Sequence, residues 1–131
     1  VALYMGYKIA HYICYSSAGF LQLKISQAIA NDNLEQLAAL LKNPVCNLNA
    51  TFGEERTTYL MWACVNNEKD IVQILLEGGA RVNARDESDR TALDYVLLLN
   101  EFDEENMWET VSLVRKYGGK TGDELRKLFT K

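Results

Sequence analysis

Ile71, Val72, Leu75 and Leu76 recur at helical spacing and make one apolar face, which predicts an amphipathic helix. Gly79 follows as a helix terminator, because glycine enters the left-handed conformation without a Cβ penalty. A polar run then predicts an exposed, hairpin-like tip from Arg85 to Arg90, and an apolar stretch restarts after Thr91. The Thr58 and Thr91 hydroxyls suit the first position of a helix, with Leu60 and Leu93 opening the buried stripe behind them. Ala63 is small where two helices approach closely. A lone helix pair cannot bury such a face, so neighbouring copies must cover it.

Those copies are visible in the chain. Thr58 and Thr91 lie 33 residues apart, with Leu60 matched by Leu93 and Asn67 by Asn100. Upstream, Ala28 falls against Ala63, Leu40-Leu41 against Leu75-Leu76, and Leu48-Asn49-Ala50 against Val82-Asn83-Ala84. Downstream, Val111 aligns with Val72, Leu113 with Ile74 and Gly118 with Gly79, after about six extra residues within EFDEENMW. A repeated supersecondary unit of this length predicts a stack in which each unit buries its neighbour.

These residues closely resemble the ankyrin repeat over roughly residues 22 to 120. The second copy carries the resemblance best: Thr58, Leu60, Ala63, Ile71-Val72, Leu75-Leu76, Gly79-Ala80 and Val82-Asn83-Ala84 all fall where the family pattern wants them. The resemblance implies an all-α ankyrin repeat solenoid of about three helix-turn-helix repeats, at 22–50, 51–84 and 85–120, with hairpin-like tips and terminal caps. The family's proline is Tyr59 and Ala92 here and its histidine is Met61 and Asp94, so a preorganised helix start is lost. Val96 replaces the small alanine in the third copy, and the acidic insertion around Glu101 to Glu105 is expected to lengthen the turn between its helices. Thr121 to Glu124 reads as a capping box that leads Leu125, Leu128 and Phe129 onto the last repeat, making 121–131 a C-terminal cap. The phrase from Tyr117 to Leu125 resembles the ending of small bacterial ankyrin proteins.

Composition fits one domain: 131 residues, 48% of them hydrophobic, are enough for an ordinary core. A net charge of −4 with no basic stripe argues against nucleic acid as a partner. Cys14, Cys46 and Cys64 are an odd count at wide spacing, which suggests neither a disulfide framework nor zinc and makes a reducing, cytoplasmic compartment the default. Residues 1–21 match no repeat. As a helix they would align Leu3, Tyr7, Ala10 and Cys14 and cap the first repeat; the alternatives are a leader and the tail of a longer protein. Lys8 and His11 interrupt a signal-peptide reading, which leaves secretion or the periplasm as the runner-up location. No stretch reaches the roughly 20 uninterrupted apolar residues of a membrane span.

Candidate chemistry changes this picture little. His11 and Cys14 supply two ligands where zinc needs more, and Glu101, Asp103, Glu104 and Glu105 lack the glycine and spacing of a calcium loop. Gly78-Gly79 and Gly118-Gly119 each follow a helix, whereas a phosphate cradle precedes one. Asn49-Ala50-Thr51 fits a glycosylation sequon, but Asn49 holds the repeat's structural asparagine position. The expectation is no catalytic residue, no cofactor and no metal. The resemblance instead implies a monomeric, non-catalytic module that binds a partner protein through the tips and the concave inner-helix face. The family's contact positions fall at Phe52, Glu54, Glu55 and Thr57, at Val65 and Asn66, at Arg85, Glu87, Ser88 and Arg90, and at Leu98 and Leu99. Phe52 is expected to anchor the partner as a tip aromatic with no core role, with Arg85 and Arg90 reaching carboxylates. The alternative is the ankyrin portion of a longer secreted or multidomain enzyme.

Overall fold

The computed structural model describes residues 17–43, 47–99 and 104–129, with the side chains of 17–20, 98 and 99 left aside. Seven helices follow one another: α1 (Ser17–Ala30), α2 (Leu34–Leu41), α3 (Tyr59–Val65), α4 (Lys69–Glu77), α5 (Ala92–Leu99), α6 (Glu104–Lys116) and α7 (Gly122–Phe129). Leu3, Tyr7, Ala10 and Cys14 lie outside the described residues; residues 17–21 are the start of α1 itself.

Each of the first three helix pairs packs internally, α1 on α2, α3 on α4 and α5 on α6. Between pairs, α3 meets α5, α2 meets α4 and α4 meets α6, so inner and outer helices form two stacked layers. The Tyr59 hydroxyl ties the first pair to the second by donating to the Gln22 carbonyl at 3.2 Å. Ala28, Ala63 and Val96 are all fully buried, so the third repeat accommodates the larger side chain inside the stack. Ile71, Val72, Leu75 and Leu76 lie in the same continuous core.

The helix starts follow the threonines. The Thr58 hydroxyl accepts the Met61 amide at 3.3 Å, and the Thr58 amide donates back to the Met61 thioether at 3.4 Å, a reciprocal cap built with sulfur. At Thr91 the third position is Asp94, and the pair closes through Asp94 N to Thr91 Oγ1 at 3.4 Å and Thr91 N to Asp94 Oδ2 at 3.0 Å. Thr121 accepts the Glu124 amide at 3.2 Å in the same way. The helix stops also hold: Gly79 and Gly118 adopt φ of 96° and 86°, the left-handed region.

Asparagines lock one repeat to the next. Asn49 Oδ1 accepts the Arg81 amide at 2.8 Å, and Asn83 Oδ1 accepts the Lys120 amide at 2.8 Å.

Two expectations for the end of the stack are corrected. Glu104 and Glu105 are not part of a lengthened turn but form the first turn of α6, where negative charge complements the exposed helix amides. In α7, Leu125 is buried against the last repeat, whereas Leu128 and Phe129 are 59% and 81% exposed. The start of α7 is held tightly: a Cβ on Gly122 would meet the Asp89 carbonyl oxygen at 2.0 Å.

Candidate functional site

The tips are the parts of this stack with the least core to hold them, and hydrogen bonds set their shape. In the first, Phe52 and Thr57 form an antiparallel bridge, with Phe52 N to Thr57 O at 2.9 Å and Thr57 N to Phe52 O at 3.2 Å. This pairing turns residue 52 back over α3. Phe52 is therefore buried, its ring 4.8 Å from that of Tyr59 and 5.2 Å from that of Trp62. The reading of Phe52 as an exposed anchor is corrected: its ring closes an aromatic cluster beneath the tip. Thr57 is buried too, because its hydroxyl accepts the Trp62 indole N–H at 3.1 Å and donates to the Phe52 carbonyl at 3.4 Å. Glu54 and Glu55 stay exposed on the turn between them.

The second tip is organised around Asp86, a residue that sequence reasoning did not single out. Its carboxylate is buried, with Oδ1 accepting the Ser88 and Arg90 amides at 2.8 and 2.9 Å and Oδ2 accepting Arg90 Nε at 3.2 Å and the Tyr95 hydroxyl. Burial alone would push this carboxyl up; the hydrogen bonds from Tyr95, Arg90 and Ser88 outweigh it and hold the group below the usual aspartate range. Burial, then the Asp86 carboxylate, raise the Tyr95 hydroxyl. The Arg90 guanidinium lies 5.0 Å from the Tyr95 ring centre. Arg90 is thus held by Asp86 and Tyr95 while 38% of its side chain stays exposed. An aspartate two residues before Ser88 in a polar turn is the signal that would have found this arrangement.

The two tips touch. Glu87 N donates to the Glu55 carbonyl at 2.9 Å, and Arg56 pairs with Glu87 at 3.5 Å. Arg85, Glu87 and Ser88 are exposed, with Arg85 4.0 Å from Asp89. Val65 and Asn66 lie at the far end of α3, half-buried and exposed respectively. The side chains of Leu98 and Leu99 lie outside the described residues.

Elsewhere, burial pushes the Cys64 thiol far up, so this cysteine behaves as a small apolar side chain. Among the described residues, no group of three or more His, Cys, Asp or Glu side chains could hold a metal ion. No helix among them is long and apolar enough to cross a membrane.

Paired helices stacked in two layers, with a polar tip before the second and third pairs, define a repeat protein whose exposed surface is repeated as its core is. The family model for ankyrin repeats (3 copies) matches residues 25–105, and the chain belongs to that family. No curated protein matches it. Ankyrin repeats are generally protein-interaction modules.

Proposed function

We propose that this protein is a non-catalytic interaction module that binds a partner protein along its joined tips and the neighbouring concave face of the inner helices. The observation that supports this reading most directly is the junction of Glu55 with Glu87, which makes one surface of two tips. Buried groups fix that surface from below: Phe52 and Thr57 under the first tip, Asp86 under the second. A loop held before binding loses less entropy on association. Glu54, Glu55, Arg85, Glu87 and Ser88 then supply the exposed chemistry, with Val65 and Asn66 extending it along α3.

Capture of a partner from source-cell extract, compared between the native chain and a variant carrying Glu54→Lys, Glu55→Lys, Arg85→Glu and Glu87→Lys, tests the reading. The variant is expected to keep its helical content and melting midpoint and to lose the captured partner. Undiminished capture would contradict it.

A further inference from the structure

The outer layer carries a second surface. On α6, Met107, Thr110, Val111 and Val114 are buried at helical spacing, and Trp108 falls off that stripe with 56% of its surface exposed. It borders an open groove of about 520 Å³ between α4 and α6. Leu113, half-buried, also lines the groove, with Lys69 and Gln73 on the α4 side and Glu105, Glu109, Ser112 and Lys116 along α6.

The charges around the groove are ordered. Lys69 Nζ bonds Glu109 Oε2 at 2.5 Å across it, and these two neutralise each other. Glu105 and Lys116 have no such partner among the described residues and stand at opposite ends of the α6 stripe. At 1.5 Å of rise per residue their backbones are about 16 Å apart. The groove therefore offers a carboxylate one turn from an exposed indole face at one end and an ammonium at the other. An indole beside a carboxylate favours a guanidinium or ammonium group, through cation–π attraction and a charge-assisted hydrogen bond. Extended chain spans that distance in about five residues.

The geometry points to the α4–α6 groove as a docking site for an extended segment of a partner protein that places a basic side chain on Trp108 and Glu105 and an acidic one about five residues away on Lys116. This surface lies on the outer helices, and its use is independent of the tips.

Three capped hexapeptides test it, each with alanines and one leucine between its end residues: one with Arg and Glu at the two ends, one with Arg at both and one with Glu at both. The readout is the indole N–H signal of Trp108 in a nitrogen–proton correlation spectrum, assigned with Trp108→Phe and set against the buried Trp62 signal. The mixed peptide is expected to shift Trp108 alone and to bind at least tenfold more tightly than either like-charged peptide. Glu105→Lys should transfer the preference to the Glu/Glu peptide, and Lys116→Glu to the Arg/Arg peptide; both positions are exposed, so both variants fold. No movement of Trp108 with any peptide, or an order of preference unchanged in the two variants, overturns the assignment. A Trp108 shift that depends on protein concentration without peptide also overturns it, in favour of a second copy of the chain.

Discussion

Arg56 and Asp89 lie 33 residues apart and share one backbone conformation, with φ of 55° and 60°. Each is the third residue after the start of its tip turn, so the repeat imposes a left-handed residue there although neither copy supplies a glycine. For a residue with a Cβ that conformation costs on the order of 1 kcal/mol. Arg56→Gly removes the cost and sacrifices only an exposed ion pair with Glu87. The variant is expected to raise the urea midpoint, by up to about 1 kcal/mol in stability. A lower midpoint would show that the Arg56 side chain holds the tip.

Phe52→Ala separates the corrected role of this residue from the expected one. With its ring packed between those of Tyr59 and Trp62, truncation is expected to cost about 3 kcal/mol or more, read from urea unfolding. An unaltered midpoint would return Phe52 to the surface.

Glu68 is the weak point of the second repeat. It stands at the N-cap of α4 without a side-chain capping bond, and its Oε2 is buried without a partner. Burial, reinforced by Asp32, raises its carboxyl above the usual glutamate value. In the first repeat the corresponding place is Asn33, whose side chain accepts the Gln36 amide at 3.1 Å. Glu68→Asn supplies the missing cap and is expected to stabilise the chain by about 1 kcal/mol at pH 7. Because a raised carboxyl opposes folding only where it is ionised, the gain from removing the charge fades as pH falls through the raised value and is gone below the ordinary 4.5. Thermal melts of both proteins at pH 7 and pH 4 check this, and an equal or lower midpoint at pH 7 would count against it.

Asp86 has the opposite sign. Its folded carboxyl lies below the ordinary 3.8, so its stabilising contribution is present above that value and is lost as pH falls through the depressed one. Asp86→Asn is expected to cost about 2 kcal/mol at neutral pH, the scale of hydrogen bonds to a charged group. The difference between native and variant should shrink as pH falls below 3.8 in a series of urea titrations. A constant difference down to pH 2 would mean that the charge contributes nothing.

Much of this fold was legible because its devices are local. Thr58, Thr91 and Gly79 act on their own helices, and the period that relates them is written in the chain. The corrected points depend on contacts that no local pattern contains. Phe52 is buried by a bridge to Thr57 and by rings from α3. The hold on Arg90 likewise comes from Asp86 and Tyr95. Leu128 continues the apolar spacing of Leu125 but has no surface to cover it within the described fold. Trp108 was legible in principle, since it departs from the buried stripe of α6, but the insertion before it obscured the register.

In the proposed function a partner protein rests on the joined tips and the concave face. Backbone hydrogen exchange of the native chain, measured with and without its captured partner, maps where that partner rests. Slowed exchange is expected at residues 53–56, 65–66 and 85–90 and nowhere else. Protection concentrated on α4 and α6, or no protection at either tip, would contradict it.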